Sequence, residues 1–174
     1  SWTSLLVEAN PVTFKQLVRN RPNAENVNGI ISSQKGAFTF YSFDDTADGT
    51  QRGWANTMSG MKGSAVETKD EPTARAYAAK IDAVLGIHQV PSFTFAEIFR
   101  QKNISRIEFI SVDVEGAEFN VIETIDFTQV SVRYVMFEGA DQKVKDLLSK
   151  AGFVEKLGSG LGSFDTLYEN PSFS

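Results

Sequence analysis

Along this chain, short apolar runs that stop at an acidic or turn residue alternate with segments of helical period. Leu5-Leu6-Val7 reads as a buried strand that ends abruptly at Glu8-Ala9-Asn10-Pro11. From Val12 the apolar positions Phe14, Leu17 and Val18 share one helical face, Lys15 and Arg19 occupy another, and Pro22 ends the helix. Val27 to Ile31 reads as a second short strand closing in Ser32-Ser33-Gln34-Lys35-Gly36, and Ala37 to Phe43 has the composition of a return arm or edge strand. Residues 44–69 hold no sustained period and read as a loop or lid insertion, with Trp54, Met58 and Met61 serving an acceptor pocket or the packing of the loop equally well. The spacing of Tyr77, Ile81 and Val84 predicts a helix over 73–85, with His88 in the surface loop that follows. Val90 to Thr94 looks extended, and Thr94 with Glu97 three residues on predicts a capping box for a helix through Phe99.

The second half repeats the alternation. The run Ile107 to Val112 reads as a buried parallel strand, followed by a helix over 117–125 with Val121, Ile122 and Ile125 turned inward. Val132 to Phe137 is another strand, stopped by Glu138-Gly139, and 141–151 is an amphipathic helix with Val144, Leu147 and Leu148 inward and Gly152 as its cap. Phe153 to Leu157 and Phe164 to Tyr168 flank the glycine-rich Gly158 to Gly162 and predict an antiparallel hairpin. Parallel strands with crossover helices and one antiparallel return describe an α/β fold: a doubly wound, mostly parallel sheet ending in an antiparallel hairpin. No repeat or linker divides residues 1–174, so a single domain is expected. Three strands end in an acid, Glu8, Asp113 and Glu138, and the topology predicts that all three lie on one rim of the sheet.

Composition narrows the partners. With 174 residues, 41% hydrophobic and 22% charged, the chain can bury a proper core, which its 14 phenylalanines would fill. A net charge of −5 and scattered lysines and arginines give no footprint for a nucleic-acid backbone and no polybasic membrane patch. No apolar stretch reaches the ~20 residues that span a bilayer. The lack of cysteine excludes disulfides and thiolate metal sites, and with no visible signal peptide it leads us to expect a cytoplasmic, reducing location.

The richest chemistry lies in Asp113-Val114-Glu115-Gly116-Ala117-Glu118, at a strand end where ligands bind in open α/β sheets. Crowded carboxylates there need solvent, a cation or a polar ligand. Asp113, Glu115 and Glu138 could hold a hard divalent cation through oxygen, but the spacing requires none, and no metal is expected. Glu118 reads as a first-turn acid of the helix that follows.

The segments Leu5 to Pro11, Val90 to Phe95, Ser111 to Glu118, Phe137-Glu138 and Asp165 to Tyr168 resemble, in the family's order, methyltransferases of the FkbM family. The Asp-Val-Glu-Gly-Ala-Glu run is the specific part of that likeness. The resemblance implies a class I, Rossmann-like methyltransferase that uses S-adenosylmethionine to methylate oxygen on a small molecule or glycan. It places Glu8 on the ribose hydroxyls, the Ala9 and Asn10 backbone along the ribose and adenine, and Ser32 and Ser33 beside the adenine. It also sets Asp113 and Val114 near the sulfonium and the acceptor, with Asp113 or Glu115 as candidate base. In the family a first strand with a glycine-rich loop precedes the Leu-Val-Glu strand, and here Ser1-Trp2-Thr3-Ser4 stands in that place. We therefore expect the chain to be the C-terminal part of a longer protein, or to take that strand from a partner polypeptide. A catalytically silent FkbM-like interaction module and a nicotinamide-dependent oxidoreductase are the rival readings.

Overall fold

A computed structural model describes residues 3–44, 59–62, 68–156 and 165–173. In chain order its elements are β1 (Leu5–Glu8), α1 (Pro11–Asn20), β2 (Glu25–Asn28), β3 (Ile30–Ile31), β4 (Ala37–Asp44), β5 (Gly60–Met61), α2 (Glu71–Lys80), β6 (Val84–Phe93), α3 (Phe95–Gln101), β7 (Arg106–Val112), α4 (Glu118–Ile122), β8 (Ser131–Glu138), α5 (Gln142–Lys150), β9 (Val154–Glu155) and β10 (Asp165–Glu169). The architecture is mixed α/β. Among the described residues the strands ladder as three sheets, ordered β1-β2, β3-β6-β4-β5 and β7-β8-β10-β9. The chain clusters into two compact units, Ser1–Ile30 with Gln34–Ser92, and Ile31–Ser33 with Phe93–Ser174.

In the first unit β1 and β2 run parallel, with Leu5 opposite Glu25 and Glu8 opposite Asn28, and α1 is the crossover between them. Pro11 sits in the first turn of α1, where its missing N–H is no loss, and Asn10 caps that turn. The predicted strand from Val27 to Ile31 is two strands, separated by a bend at Gly29, whose N–H binds the Glu8 carbonyl at 3.1 Å. The predicted helix over 73–85 stops at Lys80: Asp82 takes φ +54°, the Ala83 N–H closes on the Ala78 carbonyl at 2.9 Å, and Val84 and Leu85 enter β6. The alanine-rich spacing therefore continued a helical period into a strand. β6 pairs antiparallel with β4 from Ala37–Pro91 to Asp44–Val84, so His88 lies in the middle of a ladder and not in a surface loop. Tyr41 and Phe43 pack one face of β4 against Ala74 and Ala78 of α2, with Phe43 and Tyr77 edge to face at 5.2 Å. Phe40, on the opposite face, joins Ile30 and Val90. Gly60 and Met61, inside the predicted lid, form β5 against β4, while Trp54 and Met58 lie outside the described residues.

In the second unit β7 and β8 are parallel and β10 returns antiparallel on β8, with β9 antiparallel to β10. The predicted terminal hairpin is thus formed, and its glycine-rich connection lies outside the described residues. Ile110 and Val112 of β7 and Val135 and Phe137 of β8 are buried, whereas Phe109 is 46% exposed, so β7 is covered on one face only. Thr94 and Glu97 make the predicted capping box of α3, each side chain meeting the other's backbone N–H at 3.0 Å. α5 ends as predicted at Gly152, whose φ of +89° lets the Phe153 N–H reach the Leu148 carbonyl at 3.0 Å. The predicted helix over 117–125 is shorter, Glu118 to Ile122, and a turn then buries Ile125.

Candidate functional site

In the first unit, β1 delivers Glu8 to a turn that is closed on itself. Glu8 Oε1 accepts the Asn10 N–H at 2.7 Å, Asn10 Oδ1 accepts the Val12 N–H at 2.9 Å, and Asn28 Nδ2 donates to the Glu8 and Ala9 carbonyls at 2.8 and 3.3 Å. Burial pushes the Glu8 carboxyl above its ordinary range, and the Asn10 and Ala9 N–H groups offset part of that rise. Asn10 is only 2% exposed, and its Nδ2 has no hydrogen-bond partner among the described residues. A buried donor without an acceptor costs about 1–3 kcal/mol, so this atom requires something to meet it.

Ser32, Ser33, Asp113, Val114, Glu115 and Glu138 all belong to the second unit. The Ser32 N–H binds the Phe93 carbonyl at 2.9 Å, and Ser33 Oγ donates to Glu123 Oε1 at 3.0 Å. At the C-terminal ends of the parallel β7 and β8, Asp113, Glu115 and Glu138 bring carboxylate oxygens within 4.8 Å of one another. Asp113, followed by burial, raises the Glu138 carboxyl above its usual range, and Glu118 and Asp165 add to the rise. Between these strand ends and α4 the backbone turns left-handed twice, at Glu115 (φ +53°) and Gly116 (φ +92°). The first is an unusual conformation for a residue with a side chain. Glu118 is buried beneath this turn at 5% exposure. Glu118 is the first-turn acid of α4 that the sequence predicts, but its burial went unread, because periodicity reports only which helix face an acid occupies.

A second polar group went unread in the sequence. His88 Nε2 and Asp44 Oδ2 each lie 3.0 Å from Ser42 Oγ. The three residue types are those of a nucleophilic triad, but here the acid and the imidazole both bind the hydroxyl, and Ser42 is 0% exposed. The group is a part-buried bracket between β4 and β6, with Ser42 at its buried centre. A Cβ placed on Gly86 would lie 2.2 Å from Ser42 Oγ and 2.6 Å from His88 Nε2, so glycine is what makes room for it.

A cleft of about 360 Å³ opens in the second unit among Ser105, Thr128, Gln129, Ser131 and Asn170. Ser105 precedes β7 and Ser131 opens β8, so it lies at the N-terminal ends of these strands. The acids lie at the C-terminal ends, where open α/β sheets bind their ligands, and the chemistry favours that rim. Among the described residues no helix is long and apolar enough to cross a membrane.

No curated protein and no solved structure matches this sequence. The profile of the Methyltransferase FkbM domain matches residues 1–155, from before β1 through β9, and so includes Glu8, Asn10, Ser32, Ser33 and the whole acidic turn. With the match covering most of its length, the chain belongs to the FkbM methyltransferase family.

Proposed function

We propose that this protein transfers the methyl group of S-adenosylmethionine to an oxygen of a small-molecule or glycan acceptor, on a doubly wound, Rossmann-like sheet of the class I methyltransferase type. Family membership supports methyl transfer. The parallel units β1-α1-β2 and β7-α4-β8 are the building blocks of a doubly wound sheet. The observation that supports the donor assignment is the buried Asn10 Nδ2, which has no hydrogen-bond partner among the described residues, beside the strand-end carboxylate of Glu8.

S-adenosylmethionine supplies an electrophilic methyl group on a sulfonium. The residues of this chain do the rest by placement. A carboxylate has about four acceptor positions, so Glu8 can take ribose hydroxyls while it holds the Asn10 N–H. The family resemblance assigns the Ala9 and Asn10 backbone to the ribose and adenine, and Ser32 and Ser33 to the adenine. The same resemblance assigns Asp113 and Val114 to the sulfonium and the acceptor. In-line approach of two held reactants accounts for most of the acceleration. An acceptor hydroxyl also gives up a proton, which Asp113 takes with Glu138 beside it, or which Glu115 takes.

The test is Asn10→Ser, which keeps a capping oxygen for the Val12 N–H and removes the amide donor. Loss of one buried bond of about 1–3 kcal/mol predicts S-adenosylmethionine binding weaker by roughly 5- to 150-fold in calorimetry. Unchanged affinity would sink the assignment of this turn to the adenosine.

A further inference from the structure

We infer that Glu118 is a positioning residue for the methyl transfer proposed above, on which reading this inference rests, and that it acts by folding the Asp113–Gly116 turn around its own carboxylate. One oxygen of Glu118, Oε1, accepts the Gly116 N–H at 3.0 Å and the Val114 N–H at 3.3 Å. Those two amides flank Glu115, the residue with φ +53°, so the hydrogen bonds bracket the unfavourable backbone conformation. The helix α4 that follows has no side-chain cap from Ala117, and its first-turn acid is turned back into the preceding loop. An acid that merely complements a helix N-terminus does so from the surface. Glu118 is instead 5% exposed, and a carboxylate is retained at such burial where it is paired with donors. The loop amides are those donors. Asp113 immediately precedes this bracket and Glu115 lies inside it, so the direction of both side chains depends on an acceptor at position 118.

Two substitutions separate this role from simple packing. Glu118→Gln keeps an acceptor oxygen at the same reach. Glu118→Met keeps the length and volume and removes the acceptor. In the full-length protein, amide hydrogen exchange at Val114 and Gly116 is expected to stay slow in wild type and Glu118→Gln and to quicken about tenfold or more in Glu118→Met. The Val135 and Phe137 amides of the core strand β8 stay protected in all three. S-adenosylmethionine affinity is expected to stay within about threefold for Glu118→Gln and to fall about tenfold or more for Glu118→Met, since misplacement within a site is costly. Protection and affinity both retained in Glu118→Met would overturn the inference, as would an equal loss of both in Glu118→Gln. A wild-type protein that binds no S-adenosylmethionine would sink the functional reading and the positioning role with it, and the exchange pattern would then test only whether Glu118 folds the turn.

Discussion

Gly86→Ala is the substitution whose consequence follows most directly from the geometry. The added methyl would stand 2.2 Å from Ser42 Oγ, 2.6 Å from His88 Nε2 and 3.2 Å from Asp44 Oδ2, and the first two are closer than real contacts allow. Ser42 is fully buried and lies directly opposite Gly86 in the β4–β6 ladder, so it cannot swing into solvent. Its hydroxyl must leave the position from which it binds both His88 and Asp44. Asp44 Oδ1 is already buried with no hydrogen-bond partner among the described residues, which leaves the group little tolerance for a second loss. Overpacking costs about 1–3 kcal/mol, and a buried polar group left unpaired costs a similar amount. These overlap, because moving the hydroxyl relieves the clash, and together predict a loss of about 2–4 kcal/mol. Urea denaturation followed by circular dichroism reads this as a lower midpoint at unchanged slope. In a Ser42→Gly background the first clash is gone, and the cost of Gly86→Ala should shrink by about 1–2 kcal/mol. A loss below about 0.5 kcal/mol in the wild-type background, the range of a neutral surface change, would refute the reasoning.

Three further outcomes are expected. Glu8→Ala should weaken S-adenosylmethionine binding by about 1.5–3 kcal/mol, the value of a hydrogen bond to a charged group, as read by calorimetry. Thr94→Ala, which removes one arm of the capping box, should lower stability by about 1 kcal/mol in the same denaturation experiment. Asp113→Asn should lower the titration midpoint of Glu138, measured by carboxyl-carbon NMR, because Asp113 is the largest cause of its rise. The stability consequence has a definite sign. A carboxyl raised in the folded state binds its proton more tightly there than in the unfolded chain, so stability falls as pH climbs from the unfolded to the folded value of Glu138. Asp113→Asn should therefore gain stability over wild type above that range and not below it.

Much of this architecture could be read from the residues, and the failures have physical causes. The strand ends at Glu8, Val112 and Glu138 are marked by apolar runs that stop at acids, and the α3 capping box and the Gly152 cap are local chemistry visible at fixed spacing. β6 was half hidden because Tyr77, Ile81 and Val84 keep a helical period through a turn that only the left-handed Asp82 betrays. The split between β2 and β3 depends on where a glycine N–H finds its acceptor, which sequence periodicity does not record. In the site, acids and their order along the chain were legible. The inward turn of Glu118, the raised Glu138 carboxyl beside Asp113, and the Ser42–His88–Asp44 bracket were not, since each depends on which side chains face one another across a ladder or a loop.

The central claim, that Glu8 and Asn10 hold the adenosine of a methyl donor, is tested most directly by calorimetric titration of the full-length protein with S-adenosylmethionine, S-adenosylhomocysteine and NAD. Saturable binding of both adenosyl ligands, with none for NAD, is the predicted result. Absence of saturable binding by either adenosyl ligand, or a preference for NAD, would contradict the account.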